Sequence, residues 1–172
     1  MKNAMKTVVA LVTLAYAVVI VAGALTLPER VPSHWSSGST PDAWGTRTQW
    51  VVTSSILGVV MALLLGGISV MTSRINLKGN WINLPNKQWW VATPEREARA
   101  RDLMSSYMWG ITAVVMAVLT IDQVMTMVAA HNAQGTLPGH GTVMWMLLIV
   151  CGIAVIWLTV SMIRHFRPET DS

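Results

Sequence analysis

The sequence predicts an all-α fold: an integral membrane bundle of four transmembrane helices, N-in and C-in, with a structured outer loop between helices 1 and 2. Three observations predict it. Apolar residues fill 53% of the 172 positions and charged residues only 12%, about half the charged share of a soluble domain. The apolar residues gather in four long runs, giving a mean hydropathy of +0.50. The basic residues flank those runs instead of forming a stripe on a soluble face. Together these exclude a soluble enzyme, a disordered tail and a disulfide scaffold, and they offer no footprint for nucleic acid despite a net charge of +4. The lone Cys151 lies inside the last run and allows no intramolecular disulfide.

The first span, residues 7–27, carries no charge in 21 residues. At about 1.5 Å per residue it reaches about 31 Å, enough for a hydrocarbon core of about 30 Å. Lys2 and Lys6 before it, and the small residues Ala22-Gly23-Ala24 near its end, raise a signal peptide as the alternative. The run exceeds the usual ~7–15-residue apolar region of such a peptide, so the expectation is a retained span. The other spans are 50–71, 104–128 and 143–163, joined by an outer loop at 28–49, an inner loop at 72–103 and a second outer loop at 129–142, all within a single domain of 1–172. Gly58, Ala62 and Gly66 recur every four residues, and Ser106 with Gly110 and Ala113 with Ala117 form similar faces. Small stripes let helix backbones approach closely in lipid. The expected use is packing within the bundle, with a homo-oligomer seam as the alternative.

Orientation follows from charge. With the N-terminus inside, Lys2, Lys6, Arg74, Lys78, Lys87, Arg96, Arg99, Arg101, Arg164 and Arg167 are cytoplasmic, and only Arg30 and Arg47 are outside. Ten against two is a strong positive-inside bias. It predicts a multi-pass protein of the bacterial cytoplasmic (inner) membrane with both termini cytoplasmic. Trp35, Trp44, Trp50 and Trp145 then fall near the outer boundary, and Trp81, Trp89 and Trp90 near the inner one, where amphipathic rings suit the headgroup level.

The loops carry the turn chemistry. Pro28, Pro32, Pro41, Gly38 and Gly45 make the first outer loop a succession of turns. In the inner loop, Leu84-Pro85-Asn86 reads as a turn and Thr93-Pro94-Glu95 as a helix start, with threonine capping and proline at the first helical position. From Pro94 the pattern runs unbroken into the third span, predicting one helix of about 35 residues whose first turns stand clear of the membrane.

Two stretches carry a resemblance. The outer loop holds Pro32, His34, Trp35, Gly38, Asp42, Trp44, Gly45 and Arg47, and the inner loop Asn83, Pro85, Asn86, Lys87 and Trp90. Together these resemble a family of small bacterial membrane domains of unknown function, the domain that forms the N-terminal part of SdpI-type immunity proteins. The resemblance spans residues 14–119 and implies shared topology. It also implies an immunity-like role, protection against a secreted killing factor, although this chain is too short to hold the further membrane domain of the full immunity proteins.

The residues themselves allow several chemistries. His34, Asp42 and Arg47 can hold the loop's shape through hydrogen bonds and an ion pair, or with Trp35 and Trp44 can meet a ligand. Asp122 is the one acidic residue inside an apolar run. Its cost, up to about 2.5–3.5 kcal/mol at mid-membrane, requires an inward orientation and a partner or a proton. Arg47 and Arg30 are the simplest partners, and Gln123 is expected to point elsewhere around the helix. His34, His131 and His140 share the outer side with both aspartates and are weak metal candidates, because their spacing matches no ligand motif. No nucleophile motif or phosphate-binding glycine loop appears, and no cofactor is implied. Among the inner residues, Arg96, Arg99, Arg101 and Lys87 with Trp89 and Trp90 suit an anionic lipid surface or plain positive-inside anchoring. The expected function is therefore a non-enzymatic membrane protein that binds a membrane or extracytoplasmic protein or peptide, in a regulatory or immunity-like accessory capacity. The alternative is a small oligomeric transporter or proton path using Asp122, and third comes a metal-dependent membrane enzyme.

Overall fold

Four helices long and apolar enough to cross a membrane dominate the computed structural model: α1 (Lys2–Thr26), α2 (Arg47–Thr72), α4 (Pro94–His131) and α5 (His140–His165). The structure describes residues 2–35, 40–80, 82–132, 134–136 and 139–167, with His140 described by its backbone alone. The expectations at Gly38, Trp81 and the His140 side chain lie outside the described residues. α2, α4 and α5 contain their expected spans and run a few residues beyond them, whereas α1 starts earlier than its expected span and ends one residue short of it. α1 stops just before Leu27-Pro28, where proline disfavours helical backbone in the preceding residue. α4 starts as expected: the Thr93 side chain accepts from the Arg96 backbone N–H, Pro94 takes the first turn, and the helix continues for 38 residues.

α4 is the central element, packing against α1, α2 and α5, whereas α5 packs against α4 alone among the helices. Its length explains this, since about 57 Å of helix crosses the bundle and overhangs one end. The small-residue faces serve these contacts. A Cβ at Gly58 would strike the Tyr16 ring of α1, one at Gly23 would strike the Trp50 ring of α2, and Gly110 lies against Leu158 of α5. Polar side chains turn inward. The Ser105 hydroxyl donates to the Ser69 carbonyl at 2.8 Å, and the Ser69 and Thr112 hydroxyls meet at 3.3 Å. Leu63, Ile56, Ile153 and Trp157 face outward, as suits a surface solvated by lipid.

Two findings modify the sequence expectation. The fold is not purely helical: β1 (Arg30–His34) pairs antiparallel with β2 (Ala43–Thr46), aligning Val31 with Gly45 and Pro32 with Trp44, with an irregularity between Pro32 and His34. Val31 is buried against the helices, and Arg30 stacks over the Trp44 ring at 4.4 Å. The inner connection, by contrast, folds into a cap. Leu77, Leu84, Trp90, Ala100 and Phe166 bury one another beneath the short helix α3 (Lys87–Trp90), gathering the connection, α4 and the end of α5 into one cluster.

Candidate functional site: a cavity beside the hairpin

The hairpin does not lie flat over the helix ends. It forms one wall of a cavity of about 520 Å³ that descends between α2 and α4, within the ~300–1,000 Å³ range of small-ligand sites. Local sequence sets the wall. Thr46 and Gln49 form a capping box, each side chain bonding the other's backbone N–H, so α2 begins directly from β2. That junction places Trp44 and Trp50 on the cavity, with His34 and Trp35 reaching it from β1 and the residue after it. Across the gap, the loop after α4 braces the hairpin: Gly135 adopts φ +63°, and a Cβ there would strike Trp44 and Pro32.

The cavity's deep side is polar. The Ser54 hydroxyl donates to Gln123 Oε1 at 2.8 Å, and Gln123 Nε2 donates to Asp122 Oδ2 at 3.0 Å. Thr126, another lining residue, donates its hydroxyl to the Asp122 carbonyl at 3.1 Å. Below this, the Tyr16 hydroxyl donates to the Ser54 carbonyl at 2.7 Å, and Met116 is completely buried. Leu57 and Met144 supply apolar lining. Trp50 is only 8% exposed, and its indole N–H has no acceptor among the described residues. A buried donor left so costs about 1–3 kcal/mol.

The sequence-predicted residues divide between this cavity and its supports. His34, Trp35, Trp44 and Asp122 line it. Asp42 closes the hairpin from behind: its Oδ1 lies 2.7 Å from His34 Nδ1, and its backbone N–H donates to the His34 carbonyl at 3.0 Å. Arg47 donates to the Leu27 carbonyl at 3.1 Å and approaches Glu29 at 3.6 Å, tying α2 to the end of α1. The expectation that Gln123 points away from Asp122 is corrected. Neighbours on a helix differ by about 100°, yet the longer glutamine side chain reaches back to the carboxylate. His131 also serves the scaffold, with Nδ1 2.7 Å from the Met127 carbonyl and Nε2 3.1 Å from the Thr26 carbonyl. Among the described residues no three histidine, cysteine or acidic side chains gather to hold a metal ion.

The inner-loop residues are also supports. Asn86, at φ 55°, and the Trp90 indole both donate to the Phe166 carbonyl at 3.1 Å, and the Lys87 ammonium donates to the carbonyls of Gly79 and Ile82. Asn83 and Pro85 are exposed on the turn. Sequence reasoning missed Ser54, Gln123, Thr126 and Met144 as cavity residues. The available signal was polarity inside apolar runs, since a hydroxyl or amide at that depth seeks partners inside the bundle.

Residues 10–59, which cover most of α1, the hairpin and the first half of α2, match the family model described as a domain of unknown function (DUF1648). An uncharacterized protein of Archaeoglobus fulgidus is 32% identical over 59 residues, covering 34% of this chain. The chain thus spans about a third of the length of the curated relative it matches. No solved structure matches. The family match lies over the segment that builds the aromatic wall of the cavity.

Proposed function

We propose that this is a non-enzymatic binding protein of the cytoplasmic membrane, with the hairpin end outside, both termini cytoplasmic, and the hairpin cavity receiving an extracytoplasmic peptide or protein segment. The observation that carries the reading is the cavity's make-up: three tryptophans beside a Ser54–Gln123–Asp122 chain. Aromatic walls accept apolar side chains and cations, and the polar floor suits the amides of a peptide. The orientation rests on the ten-to-two distribution of basic residues. An immunity-like role, with a secreted killing factor as the ligand, is the specific form suggested by the SdpI-type resemblance. A transport path through Asp122 draws less support. The next inward polar cluster on α4 begins at Thr112, about 16 Å below Gln123, and buried Met116 lies between them.

A photo-cross-linking residue at Thr53, on the cavity wall, tests this in native membranes against the same residue at lipid-facing Leu63. The expected result is a discrete protein or peptide adduct from Thr53 alone, reduced at least about tenfold by Trp35→Ala or Asp122→Asn. Identical products from both positions, or an adduct indifferent to both substitutions, would overturn the reading.

A further inference from the structure

α1 has no basic residue in its last turn, yet basic side chains from two other helices meet the carbonyls at its end. Arg47, at the start of α2, donates to the Leu27 carbonyl at 3.1 Å. His131, the last residue of α4, places Nε2 3.1 Å from the Thr26 carbonyl. Its other ring nitrogen, Nδ1, lies 2.7 Å from the Met127 carbonyl of α4 itself. Both partners are carbonyl oxygens, which can only accept. A neutral imidazole has one N–H and serves one of them, whereas the imidazolium serves both. α1 and α4 also both end here, and the negative ends of their dipoles favour a cation.

The position gives this contact its reach. Three residues separate Thr26 from the start of β1, and four residues beyond His131 lies Gly135, packed against Trp44 and Pro32 of the hairpin. His131 thus joins the two chain segments that hold the hairpin, and it is exposed to solvent. Among the described residues, the charged groups around it are Arg47 of α2 and Glu29 before β1, which lie 3.6 Å apart and largely offset each other. Arg30 of β1 is stacked over Trp44. α1 carries no charge after Lys6, and Asp122 on α4 lies about 13 Å back along the helix. We propose that His131 is a proton-operated latch: its imidazolium ties the end of α1 to the end of α4, and loss of the proton gives up one of the two bonds. Imidazole exchanges its proton between about pH 5 and 8, so the latch is closed at the acid end of that range and open at the alkaline end. Arg47 keeps its charge throughout, so deprotonation frees α1 from α4 alone and loosens the hairpin's anchorage. The latch needs no ligand and is independent of whatever the hairpin cavity binds.

The test is hydrogen–deuterium exchange of the full chain in detergent at pH 5.5 and pH 8, corrected for the intrinsic pH dependence of exchange. The reporting amides are Leu27, bonded to the Gly23 carbonyl, and Arg47, bonded to the Glu29 carbonyl. In the wild-type protein their protection is expected to fall by about threefold from pH 5.5 to pH 8, while amides around Met116 stay unchanged. His131→Ala should show the lower protection at both pH values, and His131→Arg, a permanent cation, should show no fall. The other histidines remain in both variants, so a pH response that survives in them overturns the proposal. Wild-type protection that is equal at the two pH values, or that rises with pH, overturns it as well. Should the alanine variant fail to fold, the contrast between the wild-type protein and His131→Arg decides alone.

Discussion

Individual side chains in this protein work mostly by closing gaps between elements, and their substitutions separate accordingly. Gly58 is filled by the Tyr16 ring, so Gly58→Val forces α1 away from α2. It is expected to cost about 1–3 kcal/mol by overpacking, read as a lower unfolding midpoint in detergent. Asn86 combines a positive φ with a side-chain bond to Phe166. Asn86→Gly keeps the backbone and loses the bond, whereas Asn86→Ala loses both. The alanine variant should therefore be the less stable by about 1 kcal/mol, and equal midpoints would contradict the account of the inner cap. Asp122 and Gln123 mark where residue-scale reading of the sequence reached its limit. The carboxylate was legible as an inward-facing group, because its cost in lipid demands that. Its neighbour's part was not, because 100° of helical rotation conceals how far an amide side chain can reach back.

At the scale of elements, the four long helices were legible because lipid requires long apolar runs and an internally bonded backbone. The α4 start was legible too, through Thr93 and Pro94. Thr93→Ala should lower stability by about 0.5–2 kcal/mol, seen as faster hydrogen exchange confined to the first turns of α4. The hairpin was hidden for a physical reason. Pro32 interrupts β1, the ladder slips between Pro32 and His34, and the strands' stability comes from packing Val31 on helices distant in sequence. Its junction with α2 nonetheless carried a readable signal in the capping box of Thr46 and Gln49. The inner cap was hidden for a similar reason: Phe166 closes it from about 80 residues away, through bonds from Asn86 and Trp90.

Across the whole molecule, the two ends differ in chemistry. The hairpin end presents tryptophans around a polar floor, and the other presents a cap rich in lysine and arginine. Their sidedness is open to a direct check in a Cys151→Ala background. Ser33→Cys should react with an impermeant maleimide in intact cells, and Asn80→Cys only after lysis; the reverse pattern would invert the orientation. Occupancy of the cavity between α2 and α4 is open to native mass spectrometry of the protein released from nanodiscs of its own membrane. The wild-type chain is expected to carry a peptide or protein adduct that disappears in Trp35→Ala, while bound lipid is unchanged. A wild-type chain carrying lipid alone, with a spectrum identical to that of the Trp35→Ala variant, would contradict it.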